Sequence, residues 1–584
     1  MKKRKLIPLS ILAILTLIGC SSNNANNDTI QNYGSDYAYN SVVSISEPES
    51  IEVVEVNSEF AITTSDGAYT QSDNVYTITK AGTYSLSGKL NGQILIEAGE
   101  DDEVVLELNG VSISYDKDSP IKVLTASKVE ISAKKDTDNI LNDNRSAKTT
   151  DIESQGEGAI NAKVDLKLNG SGTLVVTGNY NNGIHTTKDL EIQKLTLKST
   201  GYNNAIKGKN SVTITSGTIQ AYALTGNGIK TDDSDVSSKG KQRGTIAING
   251  GIVYVDSLRD AIDASYNVEI DRADTEVPTN ITIKTGTYSS NYNKSSFKAD
   301  SEKGLKAQND IIVNNGTVTI AASDDAVHAN YGDALDNGSK GTGNITVNGG
   351  LIQVASGDDG LHADNTLTIN DGKVVVTGAT EGLEANYINI NGGASYVYGT
   401  DDGVNCSKKS FNNCAFTMTG GYLDVAVNNG DTDGIDSNDT FTLSGGVIIT
   451  RGSPGSGSNM STGLDVDGTA SMTGGTLIAF NGLEKTPSTS SGVRYASTKS
   501  SNSSSGGPGG GRGQSNTSSS SSTLQAGVYT LSGNGLDISF TNDYAYSSFL
   551  VYSSNLESGS AYTLTRDGTT VYTWTQSSTS VTIS

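Results

Sequence analysis

The stretch "GDDGLHADNTLTINDGKVVVTG", residues 357–378, sets an acidic pair and a glycine before short runs of alternating apolar residues, broken by the turn sequence Asn370-Asp371-Gly372. Near copies lie on both sides: "SDDAVHAN" from Ser323, "TEGLEAN" from Thr380, "TDDGVNCS" from Thr400 and "DTDGIDSN" from Asp431. Aligned on the small residue before the aliphatic one, the repeat runs from Ala159 to Gly463. Its shorter steps cluster near about 22 residues, the interval of a solenoid. Each unit holds three strand-like runs, which in the quoted copy are "LHA", "LTIN" and "KVVV".

Side chains alternate across a strand, so the pattern says which residues point inward. Ile160, Ile184, Ile206, Ile229, Ile262, Leu305, Val327, Leu361, Leu383, Val404, Ile435 and Leu464 form one apolar column. Ala162, Ala264, Ala307, Ala329, Ala363 and Ala385 form a column of small residues two places on, and Ile248, Val347, Ile369, Ile390 and Leu443 form a third from the second strands. A coil this small cannot bury its apolar face alone, whereas stacked coils cover one another. The pattern therefore predicts an all-β protein, a parallel β-helix. Asn249, Asn348, Asn370 and Asn391, ahead of the turn glycines, are expected to take the left-handed turn and to bond to one another along the axis.

Composition fits a repeated architecture better than one large core: of 584 residues, 34% are hydrophobic and 67 are glycine. A net charge of −23 argues against nucleic acid as a partner and favours metal cations or basic partners. Residues 1–19 read as a lipoprotein signal peptide ending in Leu17-Ile18-Gly19, with Cys20 as the acylated residue. This places the protein outside the cytoplasmic membrane of a bacterium, held by its lipid alone. Residues 20–50 read as a tether, 51–150 as the first coils and cap, 151–482 as the regular β-helix, 483–523 as a Ser/Gly-rich linker and 524–584 as a small antiparallel β module. Cys406 and Cys414 flank the insertion "SKKSFNN", and a disulfide closing it is expected. A monomer is expected.

In such a stack, equivalent residues of adjacent coils lie about 4.8 Å apart. Asp325, Asp359, Glu381, Asp402 and Asp433 should then form a ladder, with Asp324, Asp358 and Asp401 beside it and Asp431 and Asp436 nearby. Unit charges about 5 Å apart repel by roughly 3 kcal/mol at an effective dielectric of about 20, so the ladder calls for a counterion. Calcium, a hard cation ligated by oxygen, is the expected cofactor. All three histidines occupy the outward position after the aliphatic column, and His328, His362 and Glu384 on that strip are the candidate ligand-contacting residues. Zinc would need a third close partner for His328 and His362. Tyr387 and Tyr422 have outward parity, whereas Tyr396 and Tyr398 align with inward valines.

The units "DDGLHADNTLTINDGKVVVTG", "GNYNNGIHTTKDLEI" and "GYNNAIKGKNSVTITSGTI", preceded by "SGKLNGQILIEAGEDDEVVLELNGVSI", resemble the carbohydrate-binding domain-containing β-helix proteins, from about Glu52 to Phe480. The resemblance implies a right-handed parallel β-helix, similar to calcium-dependent pectate lyases, that binds plant-type polysaccharides such as cellulose or acidic pectic chains. With few outward aromatics, acidic glycans are favoured over cellulose. The alternatives are a pectate-type lyase with Lys207, Lys230 or Lys306 as the base for β-elimination, and a structural surface spacer.

Overall fold

Short strands of alternating polarity become stable when both edges are paired and the apolar side is covered. The computed structural model describes residues 43, 45–54, 56–150, 155–272, 278–286, 301–454, 461–498 and 523–583, and every regular element among them that spans more than a turn is a strand. The signal peptide, Cys20, most of the tether and residues 499–522 of the linker lie outside these residues.

The chain winds as a parallel β-helix of three strands per coil. Gly158–Ala162 pairs in parallel with Asn182–Thr186, Asp165–Gly170 with Asp189–Ile192, and Thr173–Gly178 with Leu195–Gly201. The first-strand column stacks in register from Ile160 through Ile184, Ile206, Ile229, Ile262, Leu305, Val327, Leu361, Leu383, Val404 and Ile435 to Leu464. It also reaches back to Ile121 and Ile94. Ile248, Val347, Ile369, Ile390 and Leu443 stack as the second-strand column, and both columns are buried. Insertions leave this register intact: the hairpin of Tyr331–Ala334 and Lys340–Thr342 loops out and back between one coil and the next.

The turn asparagines bond along the axis, Asn348 to Asn314 and Asn370 to Asn348 at 2.8 Å, and Asn391 to Asn370 at 2.9 Å. They do not take the left-handed conformation expected of them. That falls to the second glycine of the turn, such as Gly393 at φ +70°, where a Cβ would lie 2.6 Å from the Gly372 carbonyl oxygen. Glycine accepts both the dihedral and the close approach, leaving the asparagine free to extend its side chain.

The expected disulfide is not formed. Cys406 stands in the small-residue column, stacked on Ala385 and under Ser437, and Cys414 Sγ donates to the Cys406 carbonyl at 3.1 Å; both are free buried thiols. Their packing is that of small core residues.

Both ends of the stack are covered. Ala61–Thr64 pairs antiparallel with the early strand Gly82–Asn91. At the far end the helix pattern continues past 482, because Ser488–Thr489 pairs with the second strand of the last coil. Phe549–Ser553 pairs antiparallel with Thr476–Phe480 and with Arg494–Thr498. Residues 483–498, expected to open a linker, thus carry strands of the stack's end, and part of the C-terminal module is the cap itself, closing an edge that would otherwise offer unpaired backbone groups. The rest is a four-stranded antiparallel sheet of Gly527–Gly533, Leu536–Asn542, Ala561–Arg566 and Thr569–Thr575.

This sheet packs on the outer face of the last third strands and corrects the tyrosine parity. The inward residues there are Val374, Val376, Val397, Leu423 and Val425. Tyr396 points outward between them with Tyr422, and both are buried in the module's apolar cluster with Tyr529, Phe540 and Trp574. Arg451 pins the junction, ion-paired to Asp424 and donating to Asn542 Oδ1 at 2.6 Å and to the Thr541 carbonyl at 2.8 Å.

Candidate functional site: the acidic column and its flanks

The turn entering each first strand supplies one residue to an axial column. Its order is Asn182, Asn204, Asn227, Asp260, Lys303, Asp325, Asp359, Glu381, Asp402, Asp433 and Thr462, as the carbonyl of each from Asn204 on accepts an N–H from the preceding coil. The side chains repeat a second motif, in which one oxygen accepts the backbone N–H of the next rung. Asn204 takes Asn227 N at 3.1 Å, Asp260 takes Lys303 N at 2.8 Å, Asp325 takes Asp359 N at 3.0 Å and Asp402 takes Asp433 N at 2.8 Å. An asparagine can do this as well as an aspartate. The carboxylate differs in what its second oxygen can hold.

At Asp325 and Asp359 that second oxygen meets cations of the chain. Lys303 Nζ lies 2.8 Å from Asp324 and 2.6 Å from Asp325. His328 Nδ1 bonds Asp325 at 2.5 Å, His362 Nδ1 bonds Asp359 at 2.7 Å, and Asp364 faces the Nε2 of both rings at 3.5 and 3.3 Å. The two imidazoles stack at 4.4 Å. Lys409, from the 407–413 insertion, is ion-paired to Glu384. Burial disfavours a charged His362, but its hydrogen bonds to Asp359 and Asp364 outweigh that and hold its pKa well above the usual imidazole value. Burial raises the Asp325 carboxyl, yet Lys303 and His328 bring it well below the usual range. Asp359 goes the other way: burial, Asp325 and a hydrogen bond with Glu381 push it up.

From Asp402 on, the charges that reach each carboxylate are other carboxylates. Burial, with Asp436, Asp433 and Asp401 as neighbours, raises Asp402 to about 8. Burial also lifts Asp433 to about 6, with Asp465 and Asp431 adding, and Asp436 to about 7, with Asp465 and Asp433 adding. Glu484 reaches about 7 through its hydrogen bond with Asp465 and its burial.

Among the expected metal ligands, the structure gathers two carboxylate trios, Asp324–Asp325–Asp358 and Asp358–Asp359–Glu381, each with oxygens within 4.8 Å of one another. Lys303 already fills the first. Asp402 and Asp433 are stacked, with Asp401, Asp431 and Asp436 among their charged neighbours, but the five form no such trio among the described residues. The third partner thought missing for the histidines is present, since Asp325 closes on His328 and His362, and Asp359 and Glu384 close on His362. Carboxylates on both nitrogens of His362 make it a double donor rather than a metal ligand. Glu384, expected to face a ligand, is only 1% exposed beneath His362 and Lys409, and His362 is 8% exposed.

Sequence reasoning passed over Lys303, Asp364 and Lys409. The first was within reach, since it directly precedes Gly304 in the aligned repeat, and Asp364 has outward parity two places after His362. It found Tyr387 outward but passed over the aromatic group to which that ring belongs, on the other flank of the strip, where Phe411 packs between Tyr331 at 4.8 Å and Tyr387 at 5.9 Å. These rings come from a hairpin, an insertion and a strand, and no local pattern connects them.

A family model for carbohydrate-binding domain-containing proteins matches residues 72–340 and 332–432, more than half of the chain. The chain belongs to this family. A carbohydrate-binding domain-containing protein of Acetivibrio thermocellus is 34% identical over 288 residues, covering 47% of this chain and 90% of that one. A solved structure described as a polysaccharide lyase-like protein from C. thermocellum, in a gadolinium derivative, is 33% identical and covers 39% of this chain and 89% of its own, with a TM-score of 0.35. The cation-filled part of the column, from Lys303 to Glu384, lies within the residues that match the carbohydrate-binding family.

Proposed function

We propose that this member of the carbohydrate-binding family is a lipid-anchored, extracytoplasmic protein that holds an acidic polysaccharide along its first-strand face, with calcium linking the acidic column to the sugar. One observation carries this reading: Asp358, Asp359 and Glu381, from adjoining coils, offer oxygens within 4.8 Å of one another. Calcium bonds oxygen at about 2.4 Å, so two ligands on opposite sides of one ion lie about 4.8 Å apart. Asp359 and Glu381, which share a hydrogen bond, would exchange the proton between them for the ion. An ion held on one side by protein carboxylates keeps coordination positions for a sugar carboxylate, and its charge reverses the local repulsion. Tyr331, Phe411 and Tyr387 give the same strip an apolar edge for a sugar ring.

A lyase has less support. Lys207, Lys230 and Lys306 are ion-paired to Asp232, Asp263 and Asp260. Burial would lower the Lys230 pKa, but Asp263 outweighs it and raises the value, opposite to what a base needs. The test is retention of polygalacturonate by the immobilised ectodomain in calcium and in EDTA, with absorbance of unsaturated product followed alongside. Calcium-dependent retention without product, weakened in Asp359→Asn and Glu381→Gln, is expected. Retention indifferent to EDTA and to both substitutions would overturn the role of calcium, and product formation would overturn the assignment as a binder.

A further inference from the structure

At its N-terminal end the same strip of turns opens into a groove of about 520 Å3. The groove lies between the tip of the hairpin formed by Tyr69–Ser72 and Val75–Ile78 and the turns that enter the next first strands. Its volume is in the roughly 300–1,000 Å3 range of small-ligand sites. Asn74, Asn91, Tyr115 and Asn144 line it from successive rungs of the stack.

The backbone of the groove is fixed. The Asn74 carbonyl accepts Gln93 N at 2.9 Å, that of Ser114 accepts Gly92 N at 2.9 Å, and that of Tyr115 accepts Asn144 N at 2.8 Å. Asp143 and Arg145, both buried and ion-paired at 2.7 Å, bracket Asn144 in the chain. Asp118, which follows Lys117, accepts from Gly156 N at 2.7 Å, Ser119 N at 2.8 Å and Lys122 Nζ at 2.6 Å. A wall held in this way before a ligand arrives lowers the ordering cost of binding.

The side chains are not engaged. The amides of Asn74, Asn91 and Asn144, the Tyr115 hydroxyl and the Lys117 ammonium make no hydrogen bond or ion pair among the described residues. At the turn before the third strands, by contrast, Asn348, Asn370 and Asn391 satisfy one another rung over rung. An amide both donates and accepts, which suits neighbouring sugar hydroxyls. Half-buried Tyr115, with Val75, adds surface for the C–H face of a sugar ring. Asp73 and Asp116 against Lys117 leave the groove one negative charge, so it does not attract a carboxylate. Neither acid belongs to a group of three metal-ligating side chains among the described residues. The chemistry is that of a neutral ligand, and the whole groove falls within residues 72–340 that match the carbohydrate-binding family.

We propose that this groove is a neutral-sugar subsite, in which the amides of Asn74, Asn91 and Asn144 and the hydroxyl of Tyr115 take the hydroxyl groups of a glycan without a metal ion. It rests on the carbohydrate class of the family and not on calcium or an acidic sugar. Along the first-strand column from Ile121 to Leu361, beside Asp359, the separation is roughly 40 Å at about 4.8 Å per coil. Substitutions at one site therefore leave the other intact.

The test is calorimetry in EDTA on the whole ectodomain with neutral gluco-, manno-, galacto- and xylo-oligosaccharides, and with oligogalacturonate as the acidic comparison. At least one neutral oligosaccharide should bind, with an affinity that salt leaves unchanged. Asn91→Ala and Asn144→Ala should each weaken it about tenfold and Tyr115→Phe about threefold, with Tm unchanged because these side chains support nothing else. Absence of binding by every neutral sugar, tighter binding of oligogalacturonate in EDTA, or an unchanged affinity in both asparagine variants would each overturn the proposal. Asp359→Asn separates this site from the calcium reading: it should weaken calcium-dependent retention of polygalacturonate and leave the neutral sugar bound as before. Loss of neutral-sugar binding in that variant would overturn a separate subsite, whereas failure of calcium-dependent retention with neutral-sugar binding kept leaves it standing.

Discussion

Two stretches of one acidic column share a backbone and differ in what neutralises them. Between Lys303 and Glu384, buried carboxylates meet Lys303, His362 and Lys409, and the result is a packed ionic cluster. Between Asp402 and Glu484 the same rungs have only other acids for company, and burial lifts Asp402, Asp436 and Asp433 toward neutrality. The fold tolerates both because one oxygen of Asp325, Asp359, Asp402 and Asp433 does the same structural work, accepting the next coil's N–H. A buried carboxylate that lacks a cation takes up a proton instead, so the two stretches should respond to opposite perturbations.

The largest effect is expected from Lys303→Met in EDTA. It leaves Asp324 and Asp325 buried without their shared cation and should lower stability by about 3–5 kcal/mol, read from the denaturant midpoint. At pH 8, Asp402→Asn should instead stabilise; a loss there as large as that of Lys303→Met would erase the distinction between the stretches.

Stability against pH comes next. Asp402, Asp433 and Asp436 have folded pKa values of about 8, 6 and 7, above their unfolded values. The folded chain therefore binds more protons between these limits. This contribution is complete below about pH 4 and is lost as pH rises through 6 to 8. In EDTA the Tm should fall across that window by several degrees, with a total near ~2–4 kcal/mol, and Asp402→Asn with Asp436→Asn should flatten the slope. A flat profile in the unsubstituted protein would show that these carboxylates are ionised and already compensated.

For calcium, Asp359→Asn and Glu381→Gln should each weaken binding by roughly tenfold, since each removes a charge from the ligand set, while Asp402→Asn changes it little. The reverse order, measured by calorimetry, would move the ion to the later stretch. The smallest effect belongs to the uncharged Asn turn ladder. Asn370→Ala removes bonds to Asn348 and Asn391 and should cost about 1 kcal/mol at any pH or calcium level. A pH-dependent cost there would mean that the proton linkage is not confined to the acidic rungs.

Much of this is legible in the amino-acid sequence. The aliphatic column from Ile160 to Leu464 follows from spacing alone, as does the stacking of Asp325, Asp359 and Glu381. The disulfide was misjudged because Cys406 replaces an alanine of an inward column and reads instead as the edge of a loop. Tyr396 and Tyr398 flank the inward Val397 and so point outward, and they were misplaced for a related reason: a strand covered on both faces loses the polar alternation that reveals parity.

The chain by itself determined the coil, its register and the residues on each rung, because a period of two and a repeat near about 22 residues fix every inward position locally. Tertiary structure alone decided which acids are neutralised, that Phe411 meets Tyr331 and Tyr387, and that the C-terminal sheet closes the stack. Insertions project from the helix without disturbing its register, and where they fold back depends on contacts between distant segments, as Lys409 reaching Glu384 illustrates.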